Sequence, residues 1–181
     1  NDALNFIKNT YNKNSQDIFS GCIAIPSRKN ESINLMKKSQ NGAEFFTTQV
    51  LYDSKNIIKM INNYQKLCDE NKTFPRRILL SFAPVSSQKN INFLKWLGVE
   101  IPDNTERYLQ GRPGAMTDRS LDVAIEVLNE TLNYITENNL KVPLGLNVEH
   151  IMSYNFQYSV EMLQELARIY REFCIKTKQY N

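Results

Sequence analysis

Four short apolar runs, each set between stretches of helical spacing, constrain this chain more than any other feature. They are "FSGCIAI" (19–25), "EFFTTQVLY" (44–52), "RILLSFAPV" (77–85) and "VPLGLNVEHI" (142–151). Parallel strands covered by helices on both faces read as nearly continuous apolar runs. The segments between them repeat apolar residues every three or four positions, the spacing of a helix face. "SKNIIKMINNYQKLCDEN" aligns Ile57, Ile58, Ile61, Tyr64 and Leu67. "TDRSLDVAIEVLNETLNYITENN" aligns Leu121, Ile125, Leu128, Leu132 and Ile135, and "YNFQYSVEMLQELARIYREFCIKT" aligns Val160, Leu163, Leu166 and Tyr170. Two shorter helices, "ESINLMKKSQN" and "SQKNINFLKWLG", run out at Gly42 and Gly98, where glycine suits a helix stop. Asp53 and Ser54 are both fitting N-caps for the helix after the second run.

The opening "NDALNFIKNTYNK" is also helical in spacing. The order is therefore helix, then strand and helix four times, with an extra helix or two between the third and fourth strands. Such alternation gives parallel strands joined by right-handed crossovers. Two architectures fit: a doubly wound sheet, or part of an eight-stranded β/α barrel, whose units average roughly 30 residues. The interval from Gln49 to Leu80 matches one unit. The longer interval to Leu146 requires an insertion, which "IPDNTERYLQGRPGAM" supplies. No repeat, low-complexity tract or domain boundary is visible, so 1–181 reads as a single domain. Because the chain opens on a helix at Asn1, without a preceding strand, it reads as the later part of a longer protein.

Composition narrows the partners. With 181 residues, 41% of them hydrophobic, the chain can bury a sizeable core. A net charge of +3, spread over dispersed lysines, lacks the footprint of nucleic-acid binding. No apolar run approaches the roughly 20 residues of a membrane span, and no signal peptide is visible. Cys22, Cys68 and Cys174 lie far apart without a CxxC pair, which suits a reducing compartment. A cytoplasmic protein without nucleic-acid or membrane partners is expected.

Most catalytic signatures are missing: there is no GxGxxG, no Walker loop and no GxSxG elbow. His150 is the sole histidine, which rules out a multi-histidine metal site within this chain, and no metal is expected. His150 and Glu149 could make a small polar site, although a structural or surface role is the simpler reading. "GRPGAMTD" reads as a loop before a helix. Lys37 and Lys38, by themselves, read as a solvated helix face favoured by the helix dipole. Gln49 raises the sharper question, because an amide interrupts an otherwise apolar strand. Alternation sends Phe45, Thr47, Gln49 and Leu51 one way and Phe46, Thr48, Val50 and Tyr52 the other. Pointing inward in a barrel, Gln49 would lie near the C-terminal rim, where barrel sites occur. Otherwise it bonds a neighbouring strand or loop. Either arrangement satisfies the amide, and periodicity does not choose between them.

These residues resemble a known family. "NGAEFFTTQVLYD" resembles the sixth-strand motif of methylenetetrahydrofolate reductases, GADFxxTQxxFD. "GCIAIPSRKNE" resembles that family's fifth strand, "LLSFAPVSS" its seventh and "WLGVEIP" the segment after it, while "PLGLNVEHI" stands at the eighth. The similarity spans residues 19 to 165. It implies an α/β fold, the C-terminal part of a (β/α)8 TIM barrel with about four parallel strands and flanking helices, whose first half precedes Asn1. It also implies an oxidoreductase that reduces methylenetetrahydrofolate to methyltetrahydrofolate, with FAD passing a hydride from NADH or NADPH.

By the same resemblance Gln49 contacts the folate, with Thr47 and Asn147 beside it. An amide meets both the donors and the acceptors of a pterin edge. Asn34, Lys37 and Lys38 match the positions that hold the FAD phosphates, since cations hold a pyrophosphate. Leu146 joins them in the cofactor site. The catalytic residues of the family would lie upstream of Asn1. The chain departs from the pattern at Ile25, where the family has a tyrosine, and lacks the histidine that follows it. Gln88 stands where an aromatic is common and Val148 where the family has an arginine. The expected partners are a folate or related pterin, and either a second copy of the chain or the other half of the barrel. Two other readings remain open: a flavin-free reduced-pterin-binding or methyl-carrier module, and an unrelated small-molecule TIM-barrel enzyme.

Overall fold

In the computed structural model, residues 19–111 and 116–177 are described. The expected opening helix, and residues 112–115 of the expected loop, lie outside them. The described elements are β1 (Gly21–Ala24), α1 (Glu31–Gln40), β2 (Phe45–Thr48), α2 (Ser54–Glu70), β3 (Arg77–Phe82) and α3 (Gln88–Trp96). They continue with α4 (Asp103–Leu109), α5 (Met116–Glu137), β4 (Leu144–Val148) and α6 (Phe156–Thr177), which is entered through a 3-10 turn at Ser153–Asn155. The inserted segment thus contributes one helix, α4.

All four strands are parallel and lie side by side in the order β1-β2-β3-β4. Right-handed crossovers that always step in one direction put every connecting helix on the same face of the sheet. A doubly wound sheet must reverse its strand order to cover both faces. The order found here is that of consecutive units of a (β/α)8 barrel, and it excludes the doubly wound alternative.

Burial follows that topology. On the helix-covered face Phe46, Thr48, Ile78 and Leu80 are completely buried. On the other face Phe45, Thr47 and Leu79 are only half-buried, and Ile23 is 49% exposed. The apolar composition of the strands suggested cover on both sides. The described residues supply it on one, so the inner face stays open to other groups.

Local chemistry sets the element ends. The Asp53 carboxylate accepts the Lys55 backbone N–H at 2.8 Å and caps α2, which leaves the Ser54 hydroxyl free to bond Glu130. Gly42 and Gly98 follow α1 and α3 at φ of 103° and 82°, a backbone region that a Cβ disfavours. The ladder of β2 ends at Thr48, earlier than the apolar run suggested. Gln49 therefore sits one residue past the strand, though its backbone N–H still donates to Ala24 O at 2.8 Å.

Two helices are rotated slightly from the expected faces. In α5 Leu128, Leu132 and Ile135 are buried as expected, but Val123, Ala124 and Val127 replace Leu121 and Ile125 as the buried flank. In α6 the buried stripe is Ser159, Met162, Leu166 and Phe173, while Leu163 is exposed. Both stripes have helical spacing, and packing against the sheet and neighbouring helix selects between them. No described helix is long and apolar enough to cross a membrane.

Candidate functional site

A level row of polar side chains crosses the carboxyl ends of β2, β3 and β4 on the inner face. Ser81 pairs with Asn147 in register, and Thr47 pairs with Leu79, so Gln49, two residues on, lies level with Ser81. Asn147 Nδ2 donates to Ser81 Oγ at 3.0 Å. Alternation places the half-buried Glu149, two residues further on, on the same side of the chain as Asn147. Burial raises the Glu149 carboxyl above the ordinary glutamate range, and the nearby Ser81 hydroxyl offsets part of that rise. The buried Tyr52 hydroxyl donates to Ala83 O at 2.8 Å. Burial first, and the Glu149 charge second, push that phenol up, so it stays protonated. Glu149 makes no ion pair with any described residue.

Gln49 has a structural partner for half of its amide. Nε2 donates to the Leu97 carbonyl at 3.0 Å, in the turn after α3. Its Oε1 accepts no hydrogen bond from the described residues, so the acceptor remains available. The side chain borders a cleft with Pro26, Ser27, Tyr52, Asn56 and Glu100. That cleft holds about 40 Å³, too little for a pterin ring. A ligand bonded to Gln49 would instead lie over the open inner face, above Thr47 in the row beneath.

Pro26, Ser27 and Asn56 also border a larger groove of about 550 Å³ between the β1–α1 loop, α1 and α2. Arg28, Lys29, Lys59 and Lys66 give it positive charge. Lys59, Asn63 and Lys66 share one stripe of α2 at intervals of four and three. Lys29, Lys59 and Lys66 make no ion pair among the described residues. The one acid lining the groove, Glu31, is buried and committed elsewhere.

Glu31 is a hub that sequence reading missed. Its Oε1 accepts the Ile25 backbone N–H at 3.1 Å and the Lys38 ammonium at 3.2 Å. Its Oε2 accepts Asn34 Nδ2 at 2.9 Å and lies 3.6 Å from Arg28. Lys38 also donates to the Ile23 carbonyl at 2.6 Å. Asn34 and Lys38, two of the expected phosphate ligands, are thus used inside the protein. Lys37 is exposed and has no ion pair among the described residues. This donor set does not fit the FAD pyrophosphate as arranged, because a phosphate at Asn34 and Lys38 would meet a buried carboxylate already holding both.

The remaining expected residues separate. Leu146 pairs with Leu80 and packs against the helix-side core, opposite to Asn147. His150 is exposed, near Ser153 O at 3.4 Å, with its ring edge-on to Phe156 at 5.3 Å. It therefore forms no joint site with Glu149. Gln88 ties α3 to α4 by accepting from Gln110 at 3.0 Å and donating to Glu106 at 3.4 Å. The period of two on β4 was the available signal for Glu149, two residues past Asn147. The stripe on α2 was the signal for the groove.

The family profile described as Methylenetetrahydrofolate reductase matches residues 20–167. Among solved structures, a similar one is an uncharacterized protein from Clostridium thermocellum that binds two copies of 5-methyl-5,6,7,8-tetrahydrofolic acid. It superposes with a TM-score of 0.76 at 22% sequence identity. The match covers 91% of this chain and 58% of that one, so this chain spans little more than half the length of its structural relative. No curated protein matches the chain significantly.

Proposed function

The chain belongs to the methylenetetrahydrofolate reductase family, and from that premise we propose that it binds a reduced folate at the carboxyl ends of β2, β3 and β4. One observation carries the reading: Gln49, Ser81 and Asn147 form a level polar row at the carboxyl end of an inner face that also carries Ile23, Phe45 and Leu79. A folate needs such a surface, with apolar cover for the ring faces and a few fixed donors and acceptors for the ring edge. Gln49 Oε1 and Asn147 meet the edge, and Thr47 lies beneath. The basic groove suits the carboxylates of the folate glutamate tail, since it shares Pro26, Ser27 and Asn56 with the cleft at Gln49. The folate bound by the structural relative supports the same ligand class. The half-open face carrying Ile23, Phe45 and Leu79 would be covered by a preceding half-barrel or a second copy of the chain.

Family membership supports extending this to an oxidoreductase that reduces the folate one-carbon unit, with FAD as cofactor and NADH or NADPH as electron donor. A flavin-free folate-binding or methyl-carrier module is favoured by a different observation, the commitment of Asn34 and Lys38 to Glu31. Two titrations of the full-length protein, one with 5-methyltetrahydrofolate and one with FAD, separate the readings. Binding of both, with flavin absorbance in the purified protein, supports the reductase. Folate binding without flavin supports the carrier module. Absence of folate binding overturns the folate reading itself.

A further inference from the structure

We infer that Asn90 is a positioning residue for the site: it pins α3 across the carboxyl ends of the strands, and through α3 it sets which end of the Gln49 amide meets a ligand. This rests on the folate reading above. Asn90 is only 2% exposed, and both polar atoms of its side chain are bonded. Its Oδ1 accepts the Ser86 backbone N–H at 2.9 Å and Asn155 Nδ2 at 3.3 Å. Its Nδ2 donates to the Tyr154 hydroxyl at 2.6 Å. Asn155, itself buried, also donates to the Pro84 carbonyl at 3.3 Å and accepts the Ser86 hydroxyl at 2.8 Å. The amino end of α3, the stretch after β3 and the turn after β4 are thereby locked together. A buried polar network whose members are all satisfied holds the groups it joins in one geometry.

The carboxyl end of α3 is held separately. Leu97 caps the helix, and its carbonyl is among those that a helix end leaves without an internal partner. Gln49 Nε2 donates to it at 3.0 Å. Asn90, Leu94 and Leu97 follow at intervals of four and three, so they share one face of α3, and Leu94 is buried between the two pins. The helix rises about 10 Å from Asn90 to Leu97. Two strand spacings, from β4 to β2, also come to about 10 Å. Thus α3 is a crossbar over the strand ends, tied at one end to the turn after β4 and at the other to Gln49. The consequence falls on the Gln49 amide. A carbonyl only accepts, so the amide must turn its NH2 group to Leu97 and its oxygen away. With α3 held, Gln49 offers a ligand an acceptor alone. With α3 free to shift, the bond to Leu97 is lost and the amide rotates to present either group.

The test is a double-mutant cycle in the full-length protein, with 5-methyltetrahydrofolate as the titrated probe and urea unfolding alongside. The variants are Asn90→Ala, Gln49→Leu and the two together. Each single change should weaken binding about tenfold, and the double variant should bind about as well as the weaker single one. Substitutions about 10 Å apart without a shared partner ordinarily add, so an Asn90 that serves stability alone would leave affinity unchanged or multiply the two losses. Tyr154→Phe removes only the hydroxyl that Asn90 bonds, and it replaces Asn90→Ala in the cycle if that variant does not fold. It should weaken binding about threefold by itself and not at all beside Gln49→Leu. Multiplied losses, or full affinity in the folded Asn90 or Tyr154 variant, overturn this inference and leave the folate reading in place. Full affinity in Gln49→Leu, or no folate binding by the unaltered protein, overturns the reading at Gln49 and this inference with it.

Discussion

Lys38 and Glu31 close the outer edge of β1 together, the ammonium donating to Ile23 O at 2.6 Å while the carboxylate accepts the Ile25 N–H at 3.1 Å. An unpaired strand edge leaves main-chain donors and acceptors exposed. Here an ion pair from the following helix fills both kinds. Replacing Lys38 with Met should therefore destabilise the protein. Loss of one partner of a buried pair costs roughly 3–5 kcal/mol, and the exposure of Lys38 places the expectation near the lower end. Lys37→Met should change stability by less than about 0.5 kcal/mol. Urea unfolding of the two variants checks this. Equal stabilities would show that the edge pair contributes little.

The pair also separates binding from folding at the expected flavin site. Lys37→Glu reverses the charge of the one exposed candidate without disturbing Glu31. If a dinucleotide phosphate binds there, flavin affinity should fall by about tenfold or more while the unfolding curve stays in place. An unchanged flavin titration would return Lys37 to the solvated helix face.

Gln49→Leu should remove the bond to Leu97 O and cost about 1 kcal/mol of stability. The fold should survive, because the side chain is half-buried at the end of a strand rather than within the core. Folate affinity should drop by about tenfold or more, since leucine leaves the ring edge unmatched. Gln49→Glu keeps the size and removes the donor. Calorimetric titration beside thermal unfolding reads both quantities. Normal folate binding by both variants would leave Gln49 as a strap for the α3–α4 turn.

Lys59→Glu and Lys66→Glu test the groove. If it holds the glutamate tail, each reversal should weaken binding of a polyglutamylated folate more than that of a monoglutamyl one. The difference should shrink as salt rises, because exposed charges are screened. Equal effects on the two ligands would leave these lysines as a solvated helix face.

Glu149 predicts a pH signature in stability. Burial raises its folded-state pKa above the unfolded value, so the folded protein holds the proton over the interval between them. By linkage its contribution to stability is present in full below the unfolded pKa and is lost as pH rises through the folded one. Glu149→Gln removes this loss. The variant should match the unaltered protein in acid and exceed it in relative stability above the raised pKa. Denaturation midpoints taken between about pH 4 and pH 8 measure the difference. A constant gap across that range would place Glu149 in water.

The order of elements was legible in the residues, because each boundary rests on short-range chemistry. Asp53 caps α2 through a residue two positions away, and Gly42 and Gly98 adopt positive φ because they lack a Cβ. Apolar runs marked the strands for the same reason: a buried face excludes water wherever it lies. The TQ motif likewise carries the family resemblance in a short local stretch, and the family profile matches residues 20–167. Tertiary structure alone decided the rest. Strand order, which put every helix on one face and left the inner face open, depends on pairings across 24 residues or more. Whether Asn34 and Lys38 hold a ligand or hold Glu31 could not be read from spacing, since a cation on a helix looks alike in either role. The bond from Gln49 to Leu97 spans 48 positions, and the path from Asn147 through Ser81 spans 66. Contacts of that range leave no local pattern, because nothing in the residues between them records which partners the folded chain brings together.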